Sequence, residues 1–303
     1  MDRVTAMAAF VRCVERGSFS AVGREMRMAQ PTVSKMIASL EKHLGGKLFA
    51  RSTHRLALTA EGQRFYEQCR AIVDAIETAE ASFKTGREEI SGIVHLATSV
   101  SFGRTQVMTR MRELMQLYPS LRIDLQLNDR FVDIVEEGID VAFRIGELKD
   151  SSLIARRIGT TYRVTVGTPD YFARHGVPKS PEDLKRHNCI LYTGLTSQNE
   201  WPYTRKGRPH PVRVSGSFQT NSAEAIRGAT LAGIGIAFAP AWLFGPDIVL
   251  ERLKVVLADY PPKPVPIHAV SPANRRYSAK VKACVNFYQA GFERDPFVSA
   301  YRP

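Results

Sequence analysis

The chain has 303 residues, 44% hydrophobic and 24% charged, ordinary proportions for a soluble globular protein with room for two or three cored domains. No apolar run reaches membrane-spanning length, and the N-terminal MDRVTAMAAFVRCVERG carries charges through its apolar pattern. That excludes a signal peptide and a membrane anchor and predicts a cytoplasmic protein. Four scattered cysteines, Cys13, Cys69, Cys189 and Cys284, include no CxxC pair; they argue against a zinc site and a disulfide framework and fit reduced thiols, and neither metal nor cofactor is expected.

The net charge of +12 is uneven. Residues 1–58 hold ten Lys/Arg against four Asp/Glu, residues 59–90 four against seven, and residues 91–303 the remaining 28 against 19. A basic N-terminal unit of this kind suggests a nucleic-acid partner, the alternative being a solvated basic face.

In chain order, residues 3–16 are predicted to form a helix with Val4, Met7, Ala8, Val11 and Val14 on one face, closed by Gly17. Ser18 can cap a second helix, SFSAVGREM, and the break RMA leads to a third, AQPTVSKMIASLEKHLG, with Pro31 in its first turn. Val33, Ile37, Leu40 and Leu44 make the inward stripe of that helix. Its other face shows Gln30, Thr32, Ser34, Lys35, Ser39 and Lys42 with a single acid, Glu41. Two short helices joined by a tight turn describe a helix-turn-helix, and KLFARSTHRLALT adds two short strands around Ser52 to Arg55, a basic wing.

Over 59–85, Phe65, Cys69, Ile72, Ile76, Ala79 and Phe83 recur at 4, 3, 4, 3, 4 spacing, an a/d seam capped by Thr59 and ended by Gly86. A dimerising linker helix is the preferred reading; a helix lying on the downstream domain is the alternative, and Cys69 is read as a packing residue. From SGIVHLATS onward strand and helix alternate: IVHLAT, FGRTQVMTRMRELMQLYP, RIDLQLN, FVDIVEEG, IDVAFRIG, then NSAEAIRGATLAGIGIAFAPAW with a stop at Gly233, and finally VPIHAV and RRYSAKVKACVNFYQAGFE. This predicts α/β lobes with largely parallel sheets and a small-molecule crevice at the strand C-termini.

The stretch SFSAVGREMRMAQPTVSKMIASLEKHLGGKLFARSTHRLALTAEG resembles the DNA-binding segment of LysR-type transcriptional regulators, and GIDVAFRIGELKDSSLIARRIG and AGIGIAFAP are similar to that family's effector-binding domain. The resemblance covers the whole chain. It implies an α/β protein with a winged helix-turn-helix (1–58), a dimerising linker helix (59–88) and a two-lobed, periplasmic-binding-protein-like effector domain (89–303), with lobe I at about 89–162 and 267–303 and lobe II at about 163–266. It also implies a homotetramer built as a dimer of dimers on an inverted-repeat operator of double-stranded DNA, near RNA polymerase. By the same resemblance Gln30, Pro31, Thr32, Ser34 and Lys35 face the major groove or its phosphates and Arg51, His54 and Arg55 form the wing. The chemistry of Gln, Thr, Ser, Lys and Arg suits bases, phosphate or a narrow minor groove. Arg27 stands where many relatives carry Gly in the turn, and Gly23 where they usually carry Ala.

For the effector the resemblance points to Ser99, Val100, Ser101 and Phe102, to Arg144, Ile145 and Gly146, and to Thr220, Asn221, Ser222 and Pro240. Hydroxyls and N–H groups at two helix N-termini would favour a carboxylate or other anion, the alternative being that these hydroxyls are helix caps. Arg144 can equally pair with Asp140 or Glu147. Catalysis is not expected: the seven His are dispersed, His95 and His268 fall inside strand patterns, and HExxH, GxSxG and GxxxxGK[ST] are absent. Rival readings are a redox-sensing regulator acting through cysteine and a receptor without DNA function, which would need an export signal and not the basic first 58 residues.

Overall fold

The computed structural model describes residues 2–50, 56–85, 90–130, 133–148, 153–194, 199–273 and 278–300, with side chains described throughout except at 74, 77–85, 299 and 300. It divides into two compact units: residues 1–93 with 118–122 and 277–280, and the remainder. Among the described residues no helix is long and apolar enough to cross a membrane.

In the first unit α1 (Arg3–Arg16) starts at Asp2, whose carboxylate accepts from Val4 N, and stops at Gly17, where φ is 61°. α2 (Phe19–Glu25) is capped by the Ser18 hydroxyl, and α3 (Gln30–Leu44) has Pro31 in its first turn and Gly45 at φ 70° after its last. Between α2 and α3 Arg27 adopts φ 55°, a left-handed conformation that costs a side-chain-bearing residue about 1 kcal/mol. The turn is tight enough that a Cβ on Gly23 would lie 2.8 Å from the Met28 carbonyl oxygen. β1 (Phe49–Ala50) and β2 (Ala57–Leu58) pair antiparallel as the wing, and α4 (Ala60–Thr85) follows, its Gly62 N–H held by Thr59.

Three details differ from the sequence reading. α1 packs against α2, α3 and α4 together, so its buried arc is wide and centred on Ala6, Ala9, Phe10, Val11 and Cys13, and Val4 is exposed. Leu44 is 41% exposed, because α3 ends there and its last turn overhangs the core. Glu41 turns inward: its carboxylate accepts from Leu48 N (3.0 Å) and Phe49 N (3.4 Å) and pairs with Lys47 Nζ (2.5 Å), tying α3 to the first wing strand. Burial raises its pKa, but those three donors outweigh burial and leave it below the ordinary carboxylate value.

The second unit contains two five-stranded sheets. One comprises β3 (Gly92–Thr98), β4 (Leu121–Leu127), β5 (Val141–Ile145) and β6 (Ile154–Thr161), completed after the chain returns by a strand at Val265–Ser271. Between β3 and β4, α5 (Val100–Phe102) continues through a π-helical turn (Gly103–Val107) into α6 (Met108–Leu117). The other sheet begins with β7 (Arg163–Gly167) and α7 (Pro169–His175), then β8 (Cys189–Tyr192). A hairpin of β9 (Glu200–Arg205) and β10 (Arg208–Arg213) leads to β11 (Phe218–Thr220), α8 (Ala223–Leu231), β12 (Ile236–Pro240), α9 (Ala241–Val249) and β13 (Lys254–Val256). The returning strand is β14 (Val265–Ser271), followed by α10 (Ala279–Arg294).

The sheets are mixed rather than largely parallel. β3–β5, β8–β11 and β8–β12 run parallel, whereas β14 is antiparallel to β5 and β6, and β7 to β12 and β13. The chain crosses between sheets twice, at β6–β7 and β13–β14, and each returning strand enters against its neighbours' direction. The predicted helix FVDIVEEG is a turn over 134–138 where described, with the Asp133 carboxylate accepting from Val135 N and Glu136 N. Rings of Phe102, Phe143, Tyr288 and Phe292 interlock at 5.1–6.1 Å in the first lobe, each worth roughly 1.5–3 kcal/mol of apolar burial.

Candidate functional site

On the first unit the outer face of α3 carries Gln30, Pro31, Thr32 and Lys35 exposed and Ser34 half-buried, while Val33, Ile37 and Leu40 are buried beneath. Gln30 Nε2 donates to Ser34 Oγ at 2.9 Å, one turn along, so the amide is oriented before any partner arrives. The wing residues Arg51, His54 and Arg55 lie outside the described residues. On α4, Phe65 packs on Phe10 with centroids 5.8 Å apart, and Cys69 is fully buried among the core side chains of α1 and α3. Cys69 therefore belongs to this chain's own core, not to a seam open to a partner. Ile72 is 45% exposed and Ile76 half-buried; the side chains of Ala79 and Phe83 lie outside those described.

The second unit holds a cavity of about 390 Å³ lined from both of its sheets, where β3, β5, β8 and β12 end. Ser99, Arg144, Ile145 and Pro240 line it. Val100, Ser101, Phe102, Gly146, Thr220, Asn221 and Ser222 do not. Phe102 is fully buried, edge-on to Trp242 at 5.1 Å. Ser101 Oγ is buried with no hydrogen-bond partner among the described residues.

The helix-terminal donors are already engaged. Val100 N donates to Asp129 Oδ1 at 3.0 Å, Ser222 N to Thr220 Oγ1 at 3.1 Å, and Ala225 N to Ser222 Oγ at 3.4 Å. A carboxylate of the chain thus occupies one helix N-terminus, and the hydroxyls at the other act as caps. Burial lowers the pKa of Arg144, partly opposed by the charge of Asp133.

Sequence reasoning missed much of the wall: Tyr192, Trp201, Phe238 and Trp242 supply aromatic surface, and Arg163 supplies a cation. Arg163 opens β7 beside Pro240 of β12, and its guanidinium carbon lies 5.9 Å from the Phe238 ring centre. Burial lowers its pKa, and among the described residues no carboxylate pairs with it. A charged residue heading the apolar strand RVTVG was the available signal. Outside the cavity lining, Glu224 at the start of α8 accepts three hydrogen bonds at 2.8–3.1 Å from Arg104 in the π-helical turn, joining the two lobes. No group of three or more His, Cys, Asp or Glu among the described residues is placed to hold a metal.

These two features, a helix-turn-helix and a cavity domain, match two family descriptions. Residues 4–63 match "Bacterial regulatory helix-turn-helix protein, lysR family", and residues 87–293 match "LysR substrate binding domain". The chain is 32% identical over 284 residues to the Escherichia coli HTH-type transcriptional regulator DmlR, covering 93% of this chain and 92% of that protein. It is 30% identical over 281 residues to an uncharacterized HTH-type transcriptional regulator of Haemophilus influenzae, covering 93% and 98% respectively. The structure of CrgA, a LysR-type regulator from Neisseria meningitidis, superposes with a TM-score of 0.63 at 28% identity, over 95% of this chain and 98% of that one. The full-length Vibrio cholerae virulence activator AphB gives 0.58 at 26% identity, over 94% and 98%. The chain belongs to the LysR family of DNA-binding transcriptional regulators, with an N-terminal helix-turn-helix and a two-lobed effector-binding domain.

Proposed function

We propose that this regulator reads an inverted-repeat operator as a homotetramer, a dimer of dimers in the cytoplasm, and senses a small anionic molecule in the cavity of its second unit. Gln30 and Thr32 would read base edges, Ser34 and Lys35 would hold phosphate, and Arg51, His54 and Arg55 would follow the backbone or enter a minor groove. The exposed face of α4 around Ile72 and Ile76 is surface that a second copy's helix can cover. Effector binding would change lobe closure, then tetramer geometry, DNA bending and RNA polymerase access.

The observation that carries the sensing half is Arg163, a cation inside an aromatic-walled cavity with no acid of its own among the described residues. The reading is tested by pull-down and sequencing of genomic DNA at physiological salt, with and without metabolite extract. Sharp peaks on an inverted repeat that move or change width with extract are expected; peaks indifferent to extract overturn the sensing half. On an identified operator, Lys35→Ala should weaken all sequences about equally and lower the salt slope by about 1, whereas Gln30→Ala should cost about 1–3 kcal/mol at one base position per half-site. Uniform loss on every sequence removes Gln30 from the base readers.

A further inference from the structure

Resting on the reading of the cavity as the effector site, we infer that its ligand is an aromatic monocarboxylate whose carboxylate is taken by Arg163 and whose ring lies among Phe238, Trp201 and Trp242. Arg163 is half-buried, with no carboxylate beside it among the described residues; desolvating such a cation is costly, and the natural partner for its planar fork of donors is a carboxylate, bound through two parallel N–H···O bonds. Arg163 faces the Phe238 ring, so the chain already occupies one face of the guanidinium and leaves its edge to a ligand.

The number of charges follows from what else is there. Besides Arg163, the cavity is lined by three acids, Asp129, Glu137 and Glu200, and by two further arginines, Arg130 and Arg144. A single carboxylate matches Arg163, whereas the second charge of a dicarboxylate or a phosphate dianion would enter a wall where the acids already outnumber the arginines left to meet it. The shape of the ligand follows from the walls. Trp201 and Phe238 stack at 5.3 Å with 22° between their planes, a rigid aromatic platform beside the cation. Trp242 is 3% exposed and its Nε1–H has no acceptor among the described residues. A ring bearing an oxygen substituent would supply one, as a buried indole N–H requires.

The test is isothermal titration calorimetry of the full-length protein with benzoate, benzamide, cyclohexanecarboxylate and phthalate. Benzoate should bind about tenfold or more tightly than benzamide and phthalate, the range expected for a charge-assisted pair, and several-fold more tightly than cyclohexanecarboxylate. Arg163→Gln should erase the preference over benzamide, and Arg163→Lys should keep part of it, since the charge remains while the fork is lost. A cooperative melting transition and an unchanged far-ultraviolet circular dichroism spectrum establish that both variants are folded. Equal binding of benzoate and benzamide, or a preference that survives Arg163→Gln, overturns the assignment. If none of the four probes binds at millimolar concentration while metabolite extract still shifts the operator footprint, the ligand class is wrong and the regulatory reading stands. If benzoate binds through Arg163 but leaves the footprint unmoved, the ligand class stands and the regulatory reading fails.

Discussion

The outer face of α3 and the wall of the cavity present their polar groups in opposite ways. On α3, Gln30, Thr32 and Lys35 stand exposed on one continuous helix, two to five residues apart, and the apolar stripe that orients them is written into the same segment. Around the cavity, Arg163, Trp201, Phe238 and Trp242 come from four separate elements, and Arg163 and Phe238 are brought together only by the pairing of β7 with β12, strands about seventy residues apart. A binding surface on one helix needs only local periodicity to be visible. One assembled from strand ends becomes visible when the sheet order is known.

Locality makes the first unit sensitive at single positions, and the largest effect is expected at Glu41. Glu41→Ala would leave Leu48 N and Phe49 N without their acceptor and Lys47 without its partner, costing about 2–4 kcal/mol and lowering the melting temperature of the first unit. Because the folded pKa of Glu41 lies below its ordinary 4.5, its contribution is complete above that pH and is lost as pH falls through the folded value. Glu41→Gln should therefore flatten the acid limb of the stability curve. An unchanged acid limb would mean that the carboxylate does not hold the wing strand.

Next in size is the α2–α3 turn. Gly23→Ala places a methyl 2.8 Å from a backbone carbonyl oxygen and 3.3 Å from Gln30 N, neither the end of a flexible side chain, so about 1–3 kcal/mol should be lost. Arg27→Gly at φ 55° should return up to about 1 kcal/mol. Measured by denaturant unfolding, a neutral Gly23→Ala would show that the turn can relax around a Cβ at this position.

Much of this was legible beforehand for physical reasons. Gly17, Ser18, Pro31 and Gly45 are local signals, each acting on the residues beside it, and each stands at a helix end in the structure. The wing was marked by its turn composition. What escaped were features set by partners distant in the chain: the inward turn of Glu41, the core against which Cys69 packs, the antiparallel entry of β7 and β14, and Arg163. Serine and threonine at helix starts read as anion ligands, yet Thr220 and Ser222 spend their oxygens on the chain's own N–H groups. An acid remote in sequence, Asp129, reaches Val100 N.

A smaller effect is expected where the two lobes meet outside the cavity lining. Arg104 and Glu224 are 51% and 33% exposed, so their bidentate pair is screened; a double-mutant cycle with Arg104→Ala and Glu224→Ala should give a coupling of about 0.5–1 kcal/mol. A coupling of zero would mean that the pair closes only in the ligand-bound state or not at all.

The smallest expected effect is none, and it discriminates between mechanisms. All four cysteines are buried, and burial pushes each thiol up to about 12, Cys284 with a further contribution from the charge of Asp140. Reactivity resides in the thiolate, so at neutral pH these groups are protonated as well as inaccessible. Ellman's reagent should find no accessible thiol in the native protein and four after denaturation, and mild peroxide should leave operator affinity unchanged. Fast labelling of one thiol in the native state, together with peroxide-dependent loss of DNA binding, would reverse the comparison. The signal would then reside in a single oxidisable side chain, as local as the face of α3, and the many-stranded cavity would be left without a sensing role.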